Sequence, residues 1–423
     1  MNDMGTRGGR LLHSGRRFGS RPGWLARMFA PGFHKILDAI DRGLATGAIH
    51  ASLPDGTRRV LGGRAPGFEC EVVMRDWRAL IRLATGGSVG WYQAWEAGEW
   101  SSPDPVPLFA LFMANGESLG ETARAKGPWR LASRALHWLN RNTKAGALRN
   151  IHAHYDLGND FYAAWLGKTM VYSSALFPQL SQEPVEPGAL DAAQDNKLAY
   201  MLERAAVRPD GSLLEIGCGW GGLALMAAGE GCRVDAISLS DDQLAWCRVR
   251  PVPGDGSATF RKQDYRDVQG QYDGIVSIEM VEALGREYWP DFMDCLARNL
   301  KPGGRAAVQF ISIREALFDS YARNADFIQA YVFPGGLLIR TAEFRQLAEQ
   351  RGLAWTDQTD LGLHYAETLR LWRASFDRAV AERRLPPEFD QRFCEFWRYY
   401  LMYCEGGFRG AGIEVSQVTL AKR

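Results

Sequence analysis

Histidine and cysteine are both scarce in this chain, at 7 residues each out of 423. The cysteines (Cys70, Cys218, Cys232, Cys247, Cys295, Cys394 and Cys404) form no CxxC pair and are odd in number. That argues against a full disulfide framework and for a reducing compartment. The same spacing gives a structural zinc site no support. His152 and His154, two apart with no cysteine nearby, read as loop or core residues, and no metal is predicted. Long apolar runs are missing too. The longest uncharged stretch around the Gly-rich segment covers only 216–229, short of a membrane span, and no apolar signal-peptide core follows the N-terminal arginines. The expectation is a cytoplasmic protein, peripheral to a membrane at most. Internal repeats and low-complexity tracts are absent.

What is present fits a globular chain of two or three domains, with 46% hydrophobic residues and a large core. The net charge of +1 hides an asymmetry: residues 1–150 carry 21 Lys and Arg against 12 Asp and Glu, and the remainder 29 against 37. Residues 1–28 hold six arginines among Gly and Ser and read as a basic, flexible tail. Residues 29–120 read as a small α+β domain, with a strand at "FECEVVM" (68–74) and a helix from Asp76 to Ala84. Residues 121–150 contain "WRLASRALHWLNRNTK" (129–144), where Arg130, Arg134, His137, Arg141 and Lys144 recur at helical spacing. Such a basic amphipathic linker helix suits either an anionic membrane surface or packing on the next domain. No recognition motif accompanies the charge, so nucleic acid is not an expected partner.

From residue 151 onward the reading is one catalytic domain. Strands "SLLEIGCGWGG", "CRVDAISLS", "ATFRKQDY", "YDGIVSI" and "RAAVQFISI" alternate with helices, which predicts a parallel, doubly wound α/β sheet. Trp289, Phe292, Met293, Leu296 and Leu300 keep i, i+3, i+4, i+7, i+11 spacing and predict a helix. Helical segments at 314–330, 342–351, 365–382 and 389–405 follow, with strands near 353–361 and at "IEVSQVTLAK". In "LLEIGCGWGG", Gly217, Gly219 and Gly222 form GxGxxG between a strand and a helix, a site for a dinucleotide or for S-adenosylmethionine. The second strand ends on Ser238 and Ser240 rather than on a ribose-binding acid. Glu215 before the glycines and Asp264 after the third strand favour S-adenosylmethionine, with Asp264 as acceptor for the adenine amino group.

Seven ordered motifs carry a resemblance: "HYDLGNDFYAAWLG" (154–167), "MVYSSALF" (170–177), "LLEIGCGWGG" (213–222), "ISLSDDQ" (237–243), "DFIQAYVFPGG" (326–336), "HYAETLRLW" (364–372) and "FWRYYLMYCEGGFR" (396–409). From about 150 onward the chain resembles the cyclopropane-fatty-acid synthases and mycolic acid cyclopropane synthases. "GWYQAWEAGEWSSPD" (90–104) resembles, less distinctively, the N-terminal domain of the longer bacterial members.

The resemblance implies a class I S-adenosylmethionine-dependent methyltransferase with a Rossmann-like sheet. It acts on the double bond of unsaturated acyl chains of phospholipids, at the inner face of the membrane. Tyr172, Ser173, Gly217, Gly219, Ser238, Gln243 and Tyr265 would surround the cofactor. The implied base is a bound bicarbonate ion, held by Glu282 and Tyr365 through side chains and by the backbone at Ser174 and Ile311, with Gln309 where the family has His. Cys404 matches a family cysteine near the active site. The family's Glu-His pair reads Glu282-Ala283, and the Gly three residues earlier reads Glu279, which is assigned here to the cofactor's cationic side. Gln309 cannot carry a proton at neutral pH. Altered chemistry is therefore open beside neutral drift. Direct proton loss from the transferred methyl closes a ring; after a hydride shift, proton loss gives an exomethylene chain, which a partner reductase would convert to a methyl branch. A homodimer is among the assemblies considered. A small-molecule N-methyltransferase on the same fold is the alternative, and a lipid-binding protein without activity is a third.

Overall fold

The computed structural model describes residues 30–120, 157–180 and 185–423. The basic tail at 1–28, the helix expected at 129–144, and His152 and His154 lie outside the described residues.

The N-terminal unit is built on a four-stranded sheet in the order β2-β1-β3-β4, from β1 (Ala48–Ser52), β2 (Arg58–Gly62), β3 (Glu69–Met74) and β4 (Trp100–Ser101). Strand β3 alternates: Cys70, Val72 and Met74 are buried while Glu69, Glu71 and Val73 face out, the period-two pattern of a half-buried strand. The helix predicted to end at Ala84 runs on as Arg78–Glu96, kinked at Gly87 (φ 57°, ψ −136°). Only glycine takes that conformation cheaply, so the Gly-rich segment reads as an end although the chain resumes helix beyond it. The apolar "LFALFMA" lies in the helix Val106–Ala114.

The second sheet has seven strands in the order β10-β11-β9-β8-β5-β6-β7. They are β5 (Ser212–Ile216), β6 (Arg233–Ser238), β7 (Ser257–Lys262), β8 (Tyr272–Ile278), β9 (Leu300–Ile313), β10 (Leu353–Asp360) and β11 (Ile413–Lys422). From β7 through β9 every neighbouring pair is parallel, as the strand-helix alternation predicts. Strand β11 differs. It runs antiparallel between β9 and β10, because two consecutive helices, Gly362–Ala381 and Gln391–Arg409, return the chain to the sheet from the opposite end. The order 7-6-5-8-9 places the reversal of strand order next to β5, where ligands settle beyond the carboxyl ends of the strands.

Two local expectations change. Leu300 is not the last turn of the predicted helix; the helix stops at Asn299, whose buried side-chain amide donates to Cys295 O at 2.9 Å, and Leu300 opens β9. Segment 314–330 is two short helices, Glu315–Tyr321 and Phe327–Tyr331. The second is started afresh by a capping box in which Asp326 accepts from Gln329 N at 2.9 Å and Gln329 accepts from Asp326 N at 3.1 Å.

One hydrophobic cluster runs from Phe33 through Trp91 and Tyr92 to Phe396, Trp397 and Phe408, so the N-terminal sheet and the last two helices share a core. Tyr92 stands 5.0 Å, centroid to centroid, from Phe327, Tyr331 and Tyr399. At the same seam Arg392 Nε meets Glu96 Oε1 at 2.5 Å, with both side chains buried. Apolar contact brings the two parts together, and this enclosed pair fixes their register.

Candidate active site

The carboxyl end of β5 delivers Glu215 and then the glycine loop. Gly217 has φ +85° and its missing side chain leaves room for Met280, whose Cγ would lie 3.0 Å from a Cβ there. Gly219 has φ +51° and open space where a side chain would project. The N–H groups of Gly217 and Cys218 both bond to Ile237 O at 3.0 Å, tying the loop to β6. The helix Gly222–Gly229 begins directly after the turn, so its free N–H groups and positive dipole end face the same crevice.

Around this loop stand Tyr172, Ser173, Ser238, Gln243, Asp264 and Tyr265, all lining one cavity of about 340 Å³. Ser238 Oγ donates to Gln243 Oε1 at 3.2 Å. The Asp264 carboxylate is gripped by the Arg266 side chain at 2.8 and 2.6 Å and accepts from Arg266 N at 2.9 Å, which fixes its direction. Tyr265 is buried and its hydroxyl meets no hydrogen-bond partner among the described residues. Glu215 Oε2 is likewise buried and unpartnered, and burial pushes this carboxyl up to about 8. Orphaned polar atoms aimed into a cavity call for a polar ligand. A glycine-lined adenosyl site with an acid for an amino group fits S-adenosylmethionine.

The end of β8 supplies Glu279, whose φ of 48° is left-handed. Its N–H donates to Gln309 O at 2.8 Å. Its carboxylate gathers three donors from three separate elements. Oε1 accepts from Ser174 N at 2.8 Å and Gln309 Nε2 at 2.6 Å, and Oε2 accepts from the Tyr365 hydroxyl at 2.8 Å. Strand β11 sets the Gln309 amide: Gln417 Nε2 donates to Gln309 Oε1 at 2.8 Å, so the amide nitrogen is the end that faces Glu279. The sequence reading gave Glu279 to the cofactor and gave Ser174, Gln309 and Tyr365 to a bound ion. In the structure those four meet one another.

Glu282, one three-ten turn later, accepts from Ile311 N with Oε1, while Oε2 has no partner among the described residues. Its backbone oxygen accepts from Leu337 N at 2.8 Å, which ties the "FPGG" segment to the turn. A side chain at Gly336 would come within 3.2 Å of that oxygen. Both acids lie deep, and the surface they keep is turned into the cavity. Burial raises the Glu279 carboxyl, and its donors and Lys197 oppose the rise. Burial, with the Glu279 charge beside it, pushes Glu282 up to about 8.

Lys197 is a group the sequence reading missed. It has no exposed surface, donates from Nζ to Ser173 Oγ at 2.6 Å, and is pushed down to about 8 by burial against the pull of Glu279 and Glu215. Its signal was present: on the helix Leu190–Ala205 the buried stripe includes Ala193, Lys197 and Met201, a lysine at a core position. Gln417 was missed as well, because cross-strand pairing with Gln309 needs the antiparallel register of β11. Cys404 faces the cavity, and burial beside Asp326 keeps it a neutral thiol. Among the described residues no group of three or more His, Cys, Asp or Glu is placed to hold a metal. No described helix is long and apolar enough to cross a membrane.

A glycine loop beyond β5, an acid beside it with one orphaned oxygen, and a cavity that continues past the end of β8 define an S-adenosylmethionine-dependent methyltransferase. Within that class the chain belongs to the mycolic acid cyclopropane synthetase family, whose model matches residues 142–418. It is 37% identical over 384 residues to the tuberculostearic acid methyltransferase of Mycobacterium tuberculosis, covering 87% of this chain and 86% of that protein. It is 30% identical over 364 residues to the cyclopropane-fatty-acyl-phospholipid synthase of Escherichia coli K12, covering 86% and 90%. Among solved structures, a mycolic acid cyclopropane synthase complexed with SAH and CTAB superposes with a TM-score of 0.59 at 28% identity, over 65% of this chain and 98% of that one. Coclaurine N-methyltransferase, at 21% identity and TM-score 0.57 over 75% of this chain and 94% of that one, shares the fold.

Proposed function

We propose that the protein methylates the double bond of unsaturated fatty acyl chains in phospholipids, working on the cytoplasmic face of a membrane. The supporting observation is the continuity of one cavity. It joins the glycine loop to a wall of Ile311, Ile313, Ile328, Phe333, Leu338 and Phe408, with Glu279 and Glu282 at the junction. A small polar amine would gain little from that wall; an acyl chain would bury on the order of 0.8 kcal/mol per CH2 along it. The relatives at 37% and 30% identity are named for a methyl-branched and a cyclopropane product respectively, so both outcomes fall within the range of similar proteins.

When bound, S-adenosylmethionine supplies an electrophilic methyl group. Glu215, Ser238, Gln243, Asp264 and Tyr265 would hold it, and the residues along the apolar wall do the rest. An alkene is a weak nucleophile, so alignment and exclusion of water carry much of the acceleration. The apolar wall does both. Positive charge left on the acyl chain is met by the Glu279 carboxylate and by the ring of Tyr365, which lies against Phe408 with centroids 4.6 Å apart and ring planes tilted by 34°.

The basic segment at 129–144 supports docking on anionic lipid, and a homodimer and a partner reductase remain part of the reading. The deciding experiment incubates the protein with methyl-labelled S-adenosylmethionine and vesicles of unsaturated phospholipid, followed by mass spectrometry and NMR of the acyl chains. Label in the chains is expected, as ring or vinylidene protons; lipid that stays unlabelled overturns the proposal. Vesicle sedimentation that is insensitive to Arg130→Glu with Arg134→Glu would remove the docking segment.

A further inference from the structure

We propose that the Glu279 carboxylate is itself the base that takes the proton released after methyl addition, so that the reaction needs no bicarbonate. This deepens the lipid C-methyltransferase reading and rests on it.

The first support is positional. Glu279 projects from the end of β8 into the junction between the glycine loop, where Met280 packs on Gly217, and the apolar chamber. The second is the donor set. Ser174 N, Gln309 Nε2 and the Tyr365 hydroxyl form a cradle for a planar anion with two oxygens on one carbon, and the Glu279 side chain fills it. A free ion would have to displace a covalently tethered one. The donors are also unequally shared. Oε1 accepts two and Oε2 only one, which leaves a lone pair of Oε2 open toward a substrate proton.

The third support is conformational. A glutamate with φ 48° costs about 1 kcal/mol relative to an extended residue, and such strain collects where a side chain must point in one direction. The fourth is the division between neighbours. Burial raises both carboxyls: Glu282, with one donor and an orphan Oε2, goes up to about 8 with the Glu279 charge beside it, whereas at Glu279 three donors and Lys197 oppose the rise. Gln309 has no proton to carry, and with Glu279 present it needs none.

The bookkeeping of the step is complete. The π pair of the alkene forms the new C–C bond as the C–S bond breaks toward sulfur, leaving a cation on the acyl chain. Glu279 Oε2 then takes a proton from the transferred carbon. The freed C–H pair either closes the ring or, after a hydride shift, forms the exomethylene double bond. The proton passes to solvent as product leaves.

The test compares the wild type, Glu279→Gln and Glu279→Gly in buffer stripped of carbon dioxide and with bicarbonate added back. Wild-type methylation is expected to be unchanged by either treatment, and [13C]bicarbonate NMR is expected to show no bound ion. Glu279→Gln should lose at least about 100-fold in turnover while S-adenosylhomocysteine affinity, measured by calorimetry, stays the same. Glu279→Gly suits the left-handed backbone, so it should fold with an unchanged or higher Tm. It should bind [13C]bicarbonate and regain activity when the ion is supplied. Wild-type turnover that falls on stripping, bicarbonate bound to the wild type, or full activity in Glu279→Gln overturns the assignment. If no variant labels lipid, the substrate reading fails instead, and the carbon-13 comparison still decides whether Glu279 closes the cradle.

Discussion

Lys197 has no exposed surface yet lines the cavity, and it feels the charges of Glu279 and Glu215 while burial brings its amine down to about 8. Its amine falls from 10.5 to about 8 on folding, so the folded state gives up a proton that the unfolded chain keeps, and the stability cost of the charge is complete below about 8 and fades as pH rises toward 10.5. Wild-type stability should therefore gain more between about pH 8 and pH 10 than that of Lys197→Met, which carries no proton there. Urea unfolding at the two pH values checks the difference. Glu282 gives a second pH signature. Its carboxyl rises from 4.5 to about 8 in the folded protein, so the folded state keeps a proton that the unfolded chain releases. The stability this confers is complete below about 4.5 and is lost as pH rises through about 8. Wild-type Tm should therefore decline across that window more steeply than that of Glu282→Gln, which keeps an acceptor for Ile311 N. If Glu279 is the base, Glu282→Gln should also keep turnover within roughly tenfold of wild type, and abolition would return the role to Glu282. At this scale the sequence was legible in identity and less so in direction. The string "SIEMVEALG" places two acids at a strand end, but where Glu279 points depends on one left-handed φ angle and on donors more than 80 residues away in the chain.

Among elements, the helix Gln391–Arg409 forms the packed seam between the two parts of the molecule. Its Gly406 lets the helix Val106–Ala114 approach so closely that an added Cβ would sit 2.4 Å from Phe109 Cβ and 2.8 Å from Val106 O. The second of these atoms is backbone and cannot swing aside. Gly406→Val should cost on the order of 3 kcal/mol and increase cleavage at Trp95, Trp100 or Phe109, measured by thermal melts and limited chymotrypsin digestion. Helices with a 3.6 period and a proline in the first turn were readable in advance, as Trp289–Asn299 illustrates. The break at Asp326 was readable too, since "DFIQ" has capping-box spacing, although the apolar residues on either side suggest one continuous helix. The reversal of β11 was not readable. Strand direction is set by which end of the sheet the preceding helices reach, and no local pattern records that.

For the whole molecule, the shared core means that residues 30–120 are not a detachable appendage. Tyr92, Trp95 and Phe109 all pack on Tyr399, and Met113 lines the cavity. A chain lacking residues 1–120 is expected to expose this aromatic face, bind anilinonaphthalene sulfonate and aggregate; a monodisperse, active fragment on size exclusion would refute the shared-core account. Strand β11 has a further consequence in time. It occupies an interior position of the seven-stranded sheet yet comes last of the eleven strands in chain order. During synthesis β9 and β10 must wait as unpaired edges while the two long helices are made, and the Glu279 cradle lacks the Gln417 bond that orients it. The nascent protein thus acquires chemical competence only with its final strand, and a ribosome that stalls earlier releases an open, adhesive sheet with no active base.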